Sequence, residues 1–373
     1  MKVDFCVIGG GMAGLSIAAE LSAKADVLVL EREQDLAYHT TGRSAALYSE
    51  LSADSTALAL SKLSRPFLVD PAPGFSEHPL HQDISCIFTA TAAESEHIQS
   101  NASKLDNPQV LDIDEMLARV PILRTGGEDI CSGLLEEGAF RIDVGAMVQA
   151  YRKQIKQNAG SIRCKAEVSA LIQEKDRWTV ELKDNDHVDA RCVINAAGAW
   201  GDVIGEMAGA SALGLTPMRR NIIVFDGPAG MDLDGWPAVG SITGSFYFLP
   251  EAGKLMGSSA DEVPSLPCDA QAEEYDIALA AHNIENATTL EIKHIHHKWA
   301  GLRTFAPDRQ LVVGYDGEKP GFFWFVGQGG FGIQTAAAAA RAAALLAVEE
   351  PLSEDFIEAG VTAEVLSPKR FSS

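Results

Sequence analysis

The feature that most constrains this fold is a glycine turn set between an apolar run and a helical repeat. Phe5-Cys6-Val7-Ile8 breaks directly into Gly9-Gly10-Gly11-Met12-Ala13-Gly14. A short unbroken apolar run reads as a strand buried on both faces, which means a parallel sheet covered by helices. Leu15, Ala18, Ala19 and Leu21 then recur with helical spacing to about Ala23, and Asp26 to Leu30 is a second apolar run ending on Glu31. The sequence predicts a β-α-β unit, whose crossover is right-handed in nearly all proteins.

The glycines fall as Gly9-x-Gly11-x-x-Gly14. Gly9 permits the tight turn, Gly11 lets backbone approach a pyrophosphate, and Gly14 lets helix and strand pack closely. The helix N-terminus at Met12 and Ala13 offers N–H groups and positive potential to phosphates. Glu31, followed by Arg32, stands where an acid accepts hydrogen bonds from ribose hydroxyls and repels a 2′-phosphate. The pattern predicts a bound dinucleotide, disfavours NADP, and does not choose between NAD and FAD. The structural alternative is a glycine turn beside a surface glutamate; strand, helix, second strand and terminal acid together argue against it.

Further along, Asp143 can cap a helix from Val144 to about Ile155. Trp178 to Leu182 and Val188 to Ile194 alternate like antiparallel strands around Lys183-Asp184-Asn185-Asp186. Arg219 to Phe225 reads as a strand, Ser245 to Leu249 and Lys254 to Gly257 as a hairpin around Pro250-Glu251-Ala252-Gly253, and Gln271 to Asn283 as a helix. Phe322 to Val326 is another apolar strand, followed by a glycine-rich turn and an alanine-rich helix. The expected class is α/β: a doubly wound, Rossmann-like dinucleotide domain interleaved with an α+β substrate domain on an antiparallel sheet. Residues 1–80, 140–213 and 298–373 are assigned to the first and 81–139 and 214–297 to the second.

Charge narrows the partners. Lys and Arg number 30 against 52 Asp and Glu, a net charge of −22. So acidic a surface repels phosphate backbones, and no nucleic-acid partner is expected. Cys6, Cys86, Cys131, Cys164, Cys192 and Cys268 form no C-x-x-C pair and read as reduced cytoplasmic thiols. His294-x-His296-His297 puts two imidazoles on one strand face, but no Cys or acidic ligand pattern accompanies them, so no metal is expected. Thr335 to Val348 is interrupted by Arg341 and reads as a buried or half-buried helix. Met1-Lys2-Val3-Asp4 has no signal-peptide layout. The expected location is the cytoplasm, with membrane contact peripheral at most.

Three further segments join the fingerprint: Tyr38-His39-Thr40-Thr41-Gly42-Arg43-Ser44-Ala45-Ala46, Asn195-Ala196-Ala197-Gly198-Ala199-Trp200, and Trp299-Ala300-Gly301-Leu302-Arg303-Thr304-Phe305 with Pro307-Asp308 and Gly327 to Thr335. In this order they resemble the D-amino-acid oxidase/glycine oxidase family of FAD enzymes, and within it most of all the bacterial D-arginine dehydrogenases. The resemblance runs from the first strand to Leu366-Ser367-Pro368-Lys369-Arg370. It implies FAD as the dinucleotide. The attachment is expected to be non-covalent, because no cysteine follows Cys268 where some relatives form a thioether; His39 lies where others use a histidine. Ser44, with Thr41, Gly42, Arg43, Ala46 and Leu47, would sit at the pyrophosphate and flavin. Val168 would hold the adenine through its backbone, and Ala197-Gly198 would pack against the cofactor, with Arg32, Trp200 and Gly301 adding contacts. Gly329, Gly330, Phe331, Gly332, Ile333 and Gln334 would bring N–H groups and a helix N-terminus to the flavin pyrimidine edge, where positive potential stabilises developing charge.

The implied activity is oxidation of the Cα–N bond of a D-amino acid by hydride transfer to flavin N5, giving an imino acid and then a 2-oxo acid and ammonia. Such chemistry needs orientation more than acid–base machinery. Arg303 matches an arginine that clamps the substrate carboxylate, Tyr247 a tyrosine that joins the clamp, and Arg220 a second arginine. The carbonyl near Gly330 would face the substrate amine. The chain departs from the resemblance at the side-chain pocket. Cys86 stands at the position of the acid that holds a guanidinium, Leu47 at that of a histidine, and Ser52 at that of a tyrosine. A thiol is uncharged at neutral pH unless strongly perturbed, so a neutral substrate side chain is expected, with Glu50 and Asp83 as other acids that could serve a cation. Two alternatives stay open: a glycine- or sarcosine-type amine oxidase using oxygen, and a flavin-binding sensor without catalysis, against which Arg303 and Tyr247 argue. The expected partners are an amino acid and an electron acceptor, whether quinone, electron carrier or oxygen.

Overall fold

The computed structural model describes residues 1–53 and 55–371. Lys2–Ile8 lies inside an eight-stranded sheet, with Val27–Leu30 and His187–Asn195 as parallel neighbours and Ser161–Arg163 beyond Val27–Leu30. The outer edge of His187–Asn195 is divided. Its first half pairs antiparallel with Arg177–Leu182, while Val193, Ile194 and Asn195 pair in parallel with Phe322–Val326. Val168–Glu174 and Val312–Tyr315 complete the two arms.

Strand alternation sends Phe5 and Val7 into one core and Cys6 and Ile8 into the other. Helices Met12–Ser22, Val144–Gln157 and Ala336–Ala347 cover the first face through Leu15, Met147 and Ala339. Small alanine side chains let Ala336–Ala347 close onto Met12–Ser22. Asp143 caps its helix as expected, accepting from the Ala146 N–H at 2.7 Å. Every residue of Phe322–Val326 is at 0% exposure, and each such large apolar side chain contributes roughly 1.5–3 kcal/mol by leaving water. The parallel strands share one C-terminal edge, and three of them run from there into glycine turns, at Gly9, Gly198 and Gly327. Ligands of open α/β sheets bind at that edge.

A second sheet of nine strands packs beside it. Its order is Val263–Pro264, Thr216–Phe225, Lys254–Ser258, Tyr247–Glu251, Ala238–Ser241, Cys86–Thr91, Ile130–Glu136 and Gln109–Leu111, with Ile295–Phe305 on the other edge of Thr216–Phe225. It is antiparallel except where Ala238–Ser241 and Cys86–Thr91 run parallel. A small sheet of Leu47–Tyr48, Phe140–Ile142 and His81–Asp83 sits apart.

Three local expectations are corrected. Ile295–Phe305 pairs with Thr216–Phe225 along its length, from Ile295↔Phe225 to Phe305↔Thr216, so the boundary drawn at residue 298 falls inside a strand of the second sheet. Pro250 and Glu251 lie within Tyr247–Glu251, and the hairpin turns on Ala252-Gly253, at φ 47° and 76°. Pro250 needs no N–H there, because Ala238–Ser241 pairs only as far as Phe248. The helix expected from Gln271 spans Glu274–Ala287 instead, since the preceding Asp269 and Ala270 are held by Arg43. Among the described residues, no helix is long and apolar enough to cross a membrane, and no group of His, Cys, Asp and Glu is arranged to hold a metal.

Candidate cofactor and substrate site

A cleft runs along the C-terminal edge of the parallel strands, with the Ile295–Phe305 strand as its far wall. Glu31, Arg32, Val168 and Trp200 line it, as do Gly9, Gly11, Met12, Ala13, Thr41, Arg43, Ser44, Ala197 and Gly198. Gly301, Arg303, Arg220, Gly329, Gly330, Gly332 and Ile333 line it as well.

The glycines of the first turn divide by what a Cβ would meet. At Gly14 it would lie 1.9 Å from the Gly9 carbonyl oxygen, and at Gly9, where φ is 113°, 2.5 Å from that of Ala196. These two close the strand against its neighbours. At Gly11 a Cβ would meet only Thr41 Oγ1, at 3.2 Å, so this glycine keeps the cleft open. The Met12 N–H donates to Thr41 Oγ1 at 3.0 Å. Glu31 is buried and accepts from the N–H groups of Gly10 at 2.7 Å and Glu33 at 2.8 Å, which fixes its carboxylate at the end of its strand. The Arg32 guanidinium lies 3.9 Å over the Trp200 ring. The His39 ring lies tilted against the same indole, 4.7 Å between centroids, and places Nε2 2.9 Å from Glu33 Oε1.

The Tyr38–Ser44 loop joins the two sheets. Thr40 Oγ1 donates to the Leu302 carbonyl at 2.7 Å, Arg43 to those of Ala270 and Ala300 at 2.9 and 3.1 Å, and Trp299 Nε1 to that of Arg43 at 2.9 Å. From the opposite side the Gly329 N–H donates to the Thr304 carbonyl at 2.9 Å. Gly329 has φ 55°, and a Cβ there would lie 2.3 Å from Phe305.

Between these attachments stands Arg303. Among the described residues its guanidinium makes no hydrogen bond and no ion pair. Burial first, and then the charge of Arg220, push its pKa down to about 10, so it remains a cation at neutral pH. Tyr247 contributes to the potential at Arg303, and its buried hydroxyl has no hydrogen-bond partner among the described residues. A Cβ at Gly330 would come within 3.0 Å of Arg303 Nη1. A desolvated cation and an orphaned hydroxyl beside an open cleft are groups built to meet an anionic ligand.

The family described as FAD dependent oxidoreductase (DAO) matches residues 4–346. The chain belongs to the FAD-dependent oxidoreductase family. It is 24% identical to FAD-dependent oxidoreductase domain-containing protein 1 of Mus musculus, over 93% of this chain and 82% of that one. In fold it is similar to an L-α-glycerophosphate oxidase of Mycoplasma pneumoniae solved with FAD bound, with a TM-score of 0.83 and 20% identity over 94% and 96% of the two chains. It is also similar to glycine oxidase of Geobacillus kaustophilus, with a TM-score of 0.82 and 18% identity over 97% and 99%.

In this FAD-dependent oxidoreductase the cleft has the features an FAD needs: the open face of Gly11, the Gly198 turn, and a glycine-lined wall at Gly301 and Gly330. Asn195 holds the Gly198 turn, accepting from Ala197 N and donating to the Gly201 carbonyl. Several expected residues lie elsewhere. Gly14 and Gly42 pack behind the wall, against the carbonyl oxygens of Gly9 and Ala37. Gln334 points away and bonds to Ser49 and Ser61. Ala46, Phe331, Leu47, Cys86 and Tyr247 are not among the cleft-lining residues. Leu47, Cys86 and Tyr247 instead share one apolar cluster with Ile222 and Trp299, and Ile222 reaches the cleft. Ser52 bonds to Ser49. The sequence reading missed Ile222, Thr40, Val203, Met207 and Gln328. Ile222 was recoverable, since it sits two residues from Arg220 on an expected strand and so shares its face. Val203 and Met207, four apart on Gly201–Met207, carry the helical spacing of one face.

Proposed function

We propose that this protein oxidises the Cα–N bond of an amino acid, of D configuration and with a neutral side chain, and that Arg303 and Tyr247 bind its carboxylate. One observation carries the reading: the cleft ends at a guanidinium without a partner beside a buried hydroxyl without a partner. A carboxylate satisfies both, accepting charge-assisted hydrogen bonds from Arg303 and one more from Tyr247. FAD bound in the cleft supplies the hydride acceptor. The chain's part is to orient and to exclude water. Arg303 and Tyr247 fix the carboxylate, Arg220 stands as the second arginine, and the carbonyl near Gly330 faces the amine. The similarity in fold to a glycine oxidase supports an amino-acid substrate.

The neutral side chain follows from the cluster around Leu47, Cys86, Ile222 and Trp299. Burial, reinforced by Glu136, raises the Cys86 thiol well above its usual range, so it is uncharged. An isolated cation in such surroundings loses several kcal/mol of hydration, whereas an apolar side chain gains by burial. This separates the chain from the D-arginine dehydrogenases it resembles. The deciding experiment is anaerobic titration of the yellow holoprotein with a panel of D- and L-amino acids. Neutral D-amino acids should bleach the flavin fastest. A flavin that no amino acid bleaches overturns the reading, and fastest bleaching by D-arginine overturns the pocket assignment. Peroxide release in air then identifies oxygen as acceptor, and its absence points to a quinone or carrier. Cys86→Glu should move the preference towards D-arginine and D-lysine.

A further inference from the structure

Four arginines line the cleft: Arg32 pairs with Glu33, Arg43 with Asp269 and Arg220 with Glu262, while Arg303 makes no ion pair among the described residues. Arg220 is buried, donates from Nε to the Asp261 carbonyl, and places Nη2 3.5 Å from Glu262 Oε1. Both Glu262 carboxylate oxygens also lie 3.0 Å from Nη2 of Arg309, whose exposed guanidinium stacks 3.9 Å over Phe305. Arg303 is in direct contact with no acid among the described residues, and the charges of Glu262 and Asp261 act on it only from a distance.

The backbone explains why an acid stands there. One edge of Thr216–Phe225 pairs with Lys254–Ser258 from Ile223 to Phe225, and with Val263–Pro264 at Met218 and Arg219. No strand covers that edge at Arg220–Ile222. The Ser259–Glu262 segment fills the gap. Asp261 accepts from the Asn221 N–H at 3.1 and 3.2 Å, from Asn221 Nδ2 at 2.8 Å and from Ser259 Oγ at 3.2 Å. Its carboxylate thus replaces a missing strand. Pinning Asp261 delivers its carbonyl to Arg220 Nε and the Glu262 carboxylate to Arg220 Nη2.

We infer that Glu262 is a specificity-determining residue. It pairs with Arg220, so Arg303 is left as the lining arginine without an ion pair among the described residues, and the cleft takes a singly charged carboxylate in preference to a doubly charged phosphate, phosphonate or sulfate group. This deepens the proposed function and rests on its placement of the carboxylate at Arg303. The physical basis is charge counting. A fixed negative charge near the subsite repels a dianion twice as strongly as a monoanion, so removing it must favour the dianion. Arg309, sharing the same carboxylate, has the opposite sign.

The test is calorimetric titration of flavin-loaded protein with propionate and with sulfate at one ionic strength. Wild type should bind propionate more tightly. Glu262→Gln should shift the propionate-to-sulfate affinity ratio towards sulfate by about fivefold. Glu262→Asp should keep the wild-type ratio, and Arg309→Gln should move it the other way by a smaller factor. A purely structural defect weakens both ligands alike and moves no ratio. An unchanged ratio in Glu262→Gln, with propionate binding abolished by Arg303→Ala, overturns this inference alone. Propionate binding that survives Arg303→Ala overturns the carboxylate reading and the inference with it. Should Glu262→Gln fail to load flavin, Arg309→Gln reads the same ratio with opposite sign, and no shift there overturns the proposal.

Discussion

The two parts of the cleft are built on opposite principles. Around the first glycine turn nearly every polar group is spent on the protein itself: Glu31 takes the N–H groups of Gly10 and Glu33, Thr41 takes that of Met12, and Asn195 secures the Gly198 turn. Around Arg303 the polar groups wait, with a guanidinium and a tyrosine hydroxyl lacking any partner among the described residues. The first region folds into shape for its ligand, and what selects the ligand there is room beside the backbone. The second stores unsatisfied polarity, a cost in the free protein that a carboxylate relieves.

The largest effect should come from breaking the saturated region. Gly14→Ala drives a Cβ to 1.9 Å from a carbonyl oxygen that cannot move without the strand. A loss of roughly 4 kcal/mol or more is expected, at the exceptional end for one substitution, seen as absence of folded, yellow protein. Gly11→Ala should differ in kind. The apoprotein should melt as wild type does, and FAD titration should show weakened binding, because Gly11 lines the cleft and its Cβ would meet no protein atom closer than Thr41 Oγ1. Equal damage from both substitutions would erase the distinction between the two glycines. Arg303→Ala comes next. Flavin should be retained and stability unharmed, since an unpaired, half-buried cation leaves, while kcat/KM falls by about a hundredfold, as charge-assisted contact and orientation are lost together. Unchanged kinetics would move the carboxylate elsewhere.

The same contrast explains what could be read from the sequence. The first glycine turn and its acid lie within the stretch from Phe5 to Glu31, and turn chemistry, helical period and strand runs are local signals. The cleft was therefore legible at Gly9, Gly11 and Glu31. Arg303, Tyr247 and Arg220 are far apart in the chain and carry no local signal; they entered only through resemblance to a family. The errors have tertiary causes. Gln334 follows the flavin-side turn in sequence, yet its amide turns inward, donating to Ser61 Oγ and the Ser49 carbonyl and accepting from the Ser49 N–H. The boundary at 298 failed because strand pairing between Ile295–Phe305 and Thr216–Phe225 leaves no mark on either segment alone. Asp261 and Glu262 carry no local signal in the sequence, since filling a gap in a sheet edge is a tertiary property.

Glu136 offers a test on a buried, saturated carboxylate away from the cleft. Its carboxylate accepts from Ser49 Oγ at 2.7 Å and from the Glu50 N–H at 2.6 Å. Burial nevertheless pushes its pKa from 4.5 up to about 6, with the charge of Glu50 adding to the rise and the hydrogen bonds opposing it. The folded state therefore holds this proton more tightly than the unfolded chain does. Its stabilising contribution is complete below about pH 4.5 and is lost as pH rises through 6, a change of about 2 kcal/mol. Glu136→Gln cannot titrate, so its stability relative to wild type should rise by about 2 kcal/mol between pH 4.5 and 8 in denaturant melts of the holoprotein. Parallel pH profiles would mean that the hydrogen bonds outweigh burial.

The smallest effect should be the sharpest discriminator. Tyr247→Phe removes one oxygen, and that oxygen is buried without a partner in the free protein. If it were part of the architecture, its loss would destabilise. If it waits for substrate, its loss should leave the melting temperature equal or slightly higher, because an unsatisfied buried hydroxyl costs desolvation and returns nothing. The bound state should show the opposite sign. One hydrogen bond to a carboxylate disappears while Arg303 remains, so kcat/KM should fall by about tenfold, less than for Arg303→Ala. Stability and turnover must then move in opposite directions in a single variant. A fall in both would place the Tyr247 hydroxyl among the saturated groups and remove one of the two orphans on which the proposed clamp is built.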